Sequence, residues 1–200
     1  MEIVFASRNP SKLDQFKAFF RSASFKVYSL DDVGIEGEVE ENGETLEENA
    51  MLKALHAFNK LKSQKRYWII SDDTGFYINA LDGLPGIKAT RWAGEDKTTE
   101  EITRYTLDQL RESHNRDAKF VAVVVIISPK GEEVIVTGEV TGKILRHPRV
   151  KPQPMMPYSP IFVPDGSKKV FAQMTPNEEN KISHRGIAFR KARALLENFL

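Results

Sequence analysis

"KFVAVVVIISPKGEEVIVTGEVTGKIL", residues 119–145, is the stretch on which the fold turns. Two runs rich in β-branched residues, Phe120 to Ile127 and Val134 to Ile144, flank the polar segment SPKGEE. β-Branched side chains suit a pleated surface, and a short turn with Pro129 and Gly131 between two such runs predicts a β-hairpin. Before it, strand and helix patterns alternate. Glu2 to Ala6 reads as a strand. Residues 10–20 read as a helix with Leu13, Phe16 and Phe20 on one face. Phe25 to Tyr28 reads as a second strand. Thr45 with Glu48 three residues on is a capping box, which opens a helix to about Leu61. Tyr67 to Ile70 is a strand, Phe76 to Ala80 extends that region, and Thr98 to about Glu112 is helical. After the hairpin, HPRVKPQPMMPYSP is too proline-rich for long regular structure, IFVP is a short strand, and Pro176 to Leu200 reads as one terminal helix. Alternation alone would suit a parallel sheet. The intruding hairpin makes a mixed-sheet α/β fold the expectation.

With 200 residues the chain has room for one α/β domain with a sizeable core. No internal repeat, low-complexity tract or linker divides it. The formal net charge is +1, so nothing electrostatic favours a nucleic-acid polymer or a membrane as partner. The absence of cysteine excludes disulfides, thiolate zinc sites and cysteine nucleophiles. Its longest apolar runs are far too short to span a bilayer. Met1-Glu2 leads straight into a strand, without a secretion signal, so a soluble cytoplasmic protein is expected.

Three stretches carry chemistry. In ASRNPSK, residues 6–12, Asn9 suits an N-cap and Pro10 the first helical turn. Backbone N–H groups and the helix dipole at such a turn suit a phosphate, with Ser7, Asn9 and Lys12 adding donors and charge. The plain alternative is a capped helix with an exposed lysine. In WIISDDTGFYINALDGLPG, residues 68–86, Asp72 and Asp73 follow a buried run where strand should meet loop. Together with Glu40 and Glu41 they offer hard oxygen ligands for Mg²⁺, which takes one or two carboxylates and fills its shell with water and phosphate oxygens. The plain alternative makes Glu36, Glu38, Glu40 and Glu41 a solvated acidic loop and Asp72 or Asp73 a cap on a turn before Gly75. In ISHRG, residues 182–186, Arg185 can fork onto a base carbonyl or a phosphate. Ser183, His184 and Arg185 are consecutive in a helical pattern and so should not all face the core; the plain alternative there is a surface helix turn. His56, His114 and His147 lack partners at ligand spacing.

Taken together, SRNPSK (7–12), EENGETLEENAMLKA (40–54), SDDTGFYINALDGLPGIKATRWAG (71–94), PIFVPDG (160–166) and ISHRG (182–186) match, in order, the blocks of one family. The chain resembles the non-standard purine nucleoside triphosphate pyrophosphatases, the inosine triphosphatase (HAM1-like) family. The resemblance implies a long mixed sheet flanked by helices, two lobes around a central cleft, and a homodimer. It implies hydrolysis of a nucleoside triphosphate to the monophosphate and diphosphate with Mg²⁺. Carried over by position, Ser7, Arg8, Asn9, Pro10, Ser11 and Lys12 hold the phosphates and Lys53 lies near them. Glu40 and Asp73 bind the metal, Asp73 is also the general base, Asp72 supports the metal site and Thr74 touches substrate. His184 and Arg185 reach the base.

The chain also departs from the family. Where the family has G-F-G-Y/W-D-P, residues 155–160 read MMPYSP, so Met156 stands at the stacking Phe and Ser159 at an Asp, beside Tyr158. Glu179 stands at a base-contacting Lys. An ionised Glu only accepts hydrogen bonds whereas Lys only donates. The substrates implied are non-standard or modified purine nucleotides. The alternatives are a pyrophosphatase for an amino-bearing base, with adenine-, 2-aminopurine- or cytosine-type nucleotides, and a catalytically silent nucleotide-binding homologue.

Overall fold

The computed structural model describes residues 1–37, 39–64 and 66–200; Glu38, one acid of the loop read from the sequence, lies outside the described residues. The elements in order are β1 (Glu2–Phe5), α1 (Pro10–Phe19), β2 (Lys26–Tyr28), α2 (Leu46–Leu61), β3 (Tyr67–Ile78), β4 (Pro85–Gly86), α3 (Thr99–Gln109), β5 (Asp117–Ile127), β6 (Glu133–Ile144), β7 (Phe162–Pro164), α4 (Pro176–Ile182) and α5 (His184–Glu197). One sheet takes the strand order β2-β1-β3-β5-β6-β7, with β4 paired to β3. β1 runs parallel to both β2 and β3, while β7 runs antiparallel to β6 and β4 to β3, so the sheet is mixed.

The hairpin forms as its composition predicts. Ser128 N donates to Glu132 O at 2.8 Å and Gly131 N to Ser128 O at 2.9 Å. Gly131 has φ 89°, a left-handed conformation that a side chain would strain. β5 has neighbours on both edges and is buried along nearly its whole length, which accounts for its continuous apolar run.

The chain divides into two compact units. The first comprises Met1–Asp73, Ala122–Gly138 and Arg185–Leu200. Its core joins Ile3 and Phe5 of β1, Phe16 of α1, Phe20, Ile70 of β3 and Phe189 of α5. Phe16 stacks on Phe5 at 4.3 Å and on Phe20 at 4.3 Å, and meets Phe189 edge-on at 5.2 Å. Burying one such ring stabilises by roughly 1.5–3 kcal/mol, and each favourable ring pair adds about 0.5–1.5 kcal/mol. The stack pins α1 to β1, and so fixes both ends of the loop between them. The second unit comprises Thr74–Val121 and Glu139–His184, around Phe76, Phe120, Tyr158, Phe162 and Phe171.

Two elements differ from the sequence expectation. The region from Tyr67 to Ile78 is one continuous strand, with neither a loop at Asp72-Asp73 nor a turn at Gly75. Gly75 stays in the strand because the Tyr77 ring lies over it; a Cβ there would sit 2.7 Å from the ring. The predicted terminal helix is two helices. Ser183 between them is extended, with φ −71° and ψ 156°, and its N–H closes α4 on Glu179 O at 2.8 Å. The last helix ends at Glu197, and Phe199 and Leu200 are exposed. Among the described residues no helix is long and apolar enough to cross a membrane.

Candidate functional site

In the first unit the parallel pairing of β1 with β3 brings the β1–α1 loop beside the aspartates. Phe5 is in register with Ile70, and Ala6 N donates to Ile70 O at 2.7 Å. Asn9 caps α1 as its sequence position predicts, its Oδ1 accepting from Lys12 N at 3.2 Å, and Pro10 begins the helix. Ser7 Oγ accepts from Asn9 N at 3.3 Å, which closes the loop on itself. Ser11 and Lys12 follow in the first turn of α1.

Successive side chains of a strand point to opposite faces, so Asp72 and Asp73 do not share one partner. Asp72 is wholly buried, with Lys12 Nζ at 2.9 Å and Arg185 Nε at 3.9 Å. Asp73 pairs with Lys53 of α2 at 3.1 Å. This corrects the expected strand end at the two aspartates: both lie inside β3, and each meets its own lysine. Burial pushes the Asp72 carboxyl up, but Lys12, Arg185 and Lys53 outweigh it and hold the group below the ordinary range. At Asp73 burial wins over Lys53 and Lys12, and its pKa lies above the ordinary value. Burial likewise lowers Lys12 against the pull of Asp72. Lys53 is raised: burial opposes its charge, and the carboxylates of Asp73, Asp72 and Glu41 overcome it.

The acidic loop reaches the same cluster through Glu41, whose Oε2 lies 3.2 Å from Lys53 Nζ. Glu40, the acid the family pattern selects, is exposed beside it. The loop is fastened to α2 by Asn49, whose Oδ1 accepts from Gly43 N at 2.9 Å. Asn49 and Lys53 are four residues apart and share one helix face, so the residue that anchors the acidic loop also sets its distance from the ammonium. Among the described residues no three acids or histidines gather around one point. The donors fit a hard divalent cation all the same. Two carboxylates converge on a positive charge, and Mg²⁺ uses one or two carboxylates and takes its remaining oxygens from water and phosphate.

Several of these side chains have partners within the protein. The Arg8 side chain bonds Asp31, Ile35 O and, at 3.2 Å, Gly37 O, and so braces the loop after β2. Ser183, His184 and Arg185 are all buried, contrary to the surface-turn reading, because the break at Ser183 lets consecutive residues turn inward in different directions. Arg185 belongs to the Asp72 cluster, and its Nη1 donates to Gln15 Oε1 at 2.9 Å, so its guanidinium is not held in reserve for a base. Gln15 was not picked out from the sequence. The available signal was its place three residues after Lys12, on the same face of α1.

In the second unit His184 stacks on Phe120, with centroids 4.7 Å apart and planes 10° apart, as part of the core. Tyr158 is packed in the core: its ring stacks on Phe76 at 4.2 Å and its hydroxyl donates to Ala89 O at 2.6 Å. Burial raises its pKa well above the ordinary phenol value. Ser159 is buried with its hydroxyl donated to Met156 O at 2.8 Å, inside its own loop. Met156 is half-buried, as are Thr74 in β3 and Glu179 in α4, whereas Lys181 is exposed.

Comparison with known proteins places this arrangement in a family. The model of the Ham1 family matches residues 3–195. A protein of Thermoanaerobacter pseudethanolicus named dITP/XTP pyrophosphatase is 37% identical over 202 residues, covering 100% of this chain and 96% of its own. One of Bacillus subtilis with the same name is 36% identical, covering 98% and 97%. The solved structure of the Staphylococcus aureus Ham1 protein superposes with a TM-score of 0.86 at 34% identity, over 100% of both chains. A Coxiella burnetii HAM1 protein gives 0.85 at 32% identity, over 99% of both. The chain belongs to the Ham1 family.

Proposed function

We propose that this protein is a nucleoside triphosphate pyrophosphatase that hydrolyses dITP- and XTP-type purine nucleotides to the monophosphate and diphosphate. The observation that carries the reading is the pair of buried lysine–aspartate contacts, Lys12–Asp72 and Lys53–Asp73, beside a capped helix N-terminus. Cations matched to carboxylates in a partly dry site are suited to receive a phosphate chain together with a metal. Lys12 and the start of α1 meet the charge that builds on the departing diphosphate. Asp73 is, in this reading, the general base that accepts a proton from the attacking water. Asp73 with Glu40 and its neighbour Glu41 would hold Mg²⁺, which when bound offsets phosphate charge and lowers the pKa of water. We extend the family expectation of a homodimer to this chain as part of the same proposal.

The rival readings from the sequence have less support. The curated relatives carry the name dITP/XTP pyrophosphatase, which does not favour an amino-bearing base. A silent homologue has no need of Lys12, Lys53, Asp72 and Asp73 in paired register. The test is a panel of dITP, XTP, dATP, dGTP and dCTP with separate detection of monophosphate, diphosphate and orthophosphate. The expected outcome is monophosphate and diphosphate from dITP and XTP, abolished by EDTA. Nucleoside diphosphate and orthophosphate as first products would refute the proposal.

A further inference from the structure

We propose that Lys53 is the built-in counter-ion of the metal site, an ammonium that neutralises its carboxylates until a divalent cation takes its place and frees it toward the phosphates. The inference rests on the proposed function above and concerns this chain's own residues toward the metal.

The cations of the cluster are not placed alike. Lys12 and Arg185 share one carboxylate, Asp72, which is fully buried. Among the described residues of the cluster, Lys53 is the cation that serves two carboxylates, Asp73 at 3.1 Å and Glu41 at 3.2 Å. One monovalent charge between two carboxylates leaves them undercompensated, and a divalent ion on the same oxygens doubles the attraction. Lysine carries a compact charge on a flexible four-carbon stem, so it can exchange that place by rotation about its side-chain bonds. The two lysines are similarly buried, Lys53 at 11% and Lys12 at 13% exposure, but Lys53 has one partner open to solvent, Glu41 at 39%, whereas Asp72 beneath Lys12 is at 0%.

The charge balance gives the exchange a purpose. Lys12, Lys53 and Arg185 face Asp72, Asp73 and Glu41, three cations to three anions. In that state the cluster has no surplus positive charge to draw in a triphosphate. Once a divalent ion is bound by Asp73 and Glu41, Lys53 is surplus, and the cluster becomes cationic only when the metal is there. Metal and nucleotide then bind in support of each other, and a metal-free nucleotide is disfavoured.

The experiment reads Lys53 directly, without turnover or nucleotide. Wild-type protein is acylated with N-hydroxysuccinimidyl acetate with and without Mg²⁺, and each lysine is quantified by mass spectrometry. Labelling of Lys53 should rise several-fold on adding Mg²⁺, while Lys12 stays unchanged. In parallel, Mn²⁺ is titrated and the free ion followed by electron paramagnetic resonance. Lys53→Met should bind Mn²⁺ at least about tenfold more tightly than wild type, the scale of removing one competing charge at close range. Asp73→Asn should abolish binding. Unchanged Lys53 labelling, or a Lys53→Met affinity no tighter than wild type, overturns the inference while Asp73-dependent binding leaves the metal site standing. Mn²⁺ binding that is absent, or indifferent to Asp73→Asn, overturns the metal site and the inference with it.

Discussion

Replacing Asp72 by Asn leaves a side chain of nearly the same shape and removes the charge that Lys12 and Arg185 share. At an effective dielectric of about 20, a contact of 2.9 Å is worth ~6 kcal/mol and one of 3.9 Å ~4 kcal/mol before desolvation is counted. The neutral amide no longer carries the several kcal/mol of penalty that burying an ionised carboxylate entails, which offsets much of that sum. Breaking one side of a buried ion pair has a net cost of about 3–5 kcal/mol. The amide oxygen can still accept a hydrogen bond from the Lys12 ammonium and limit the damage, so the low end, about 3 kcal/mol, is expected. For a chain of 200 residues that corresponds to a fall in Tm of ~6–12 °C, measurable by calorimetry or by urea unfolding at pH 7. The pH dependence adds a second reading. The folded-state pKa of Asp72 is depressed, so its contribution is complete above the unfolded-state value of ~3.9 and is lost as pH falls through the lower folded value. The gap between wild type and variant should therefore be flat through neutral pH and narrow only in acid below ~pH 4. A variant that melts within a degree of wild type would refute the account of Asp72 as the ion that holds Lys12 and Arg185. A gap that stays unchanged as pH falls through the acid range would refute its electrostatic basis.

Asp73→Asn should keep the fold and lower turnover of dITP by at least ~10²-fold, the low end for losing a general base; a near wild-type rate in steady-state kinetics would remove Asp73 from the mechanism. Tyr158→Phe strips the buried Ala89 carbonyl of its partner and should cost ~1–3 kcal/mol in urea unfolding with no change in KM, whereas a raised KM with unchanged stability would return Tyr158 to the substrate side.

How much of this was legible beforehand varies by element. The hairpin, the cap of α1 at Asn9 and the Thr45–Glu48 box that opens α2 rest on contacts within a few residues, and each forms where its sequence pattern lies. β3 was misread at Asp72-Asp73 and Gly75 because acids and glycine are poor strand formers. What holds the acids there comes from afar, Lys12 from α1 and Lys53 from α2, while Gly75 is covered by the ring of Tyr77, two residues on in the same strand. The break at Ser183 has no proline or glycine to announce it, and it accompanies the burial of Ser183 itself and of His184 and Arg185 after it.

The candidate site divides along the same line. Residue types, order and spacing alone determined that Ser7 to Lys12, the acids near residue 40, Asp72-Asp73 and Ser183 to Arg185 were the residues to watch, since a phosphate cradle and hard-oxygen ligands leave local signatures. Only the tertiary structure decided who pairs with whom. It gave Asp72 to Lys12 and Arg185, Asp73 to Lys53, Arg8 to a neighbouring loop and Tyr158 to the core. The physical reason is that an ion pair depends on distance and burial. Both are set when β1 registers beside β3 and α2 and α5 pack over them, and no short window of sequence contains that register.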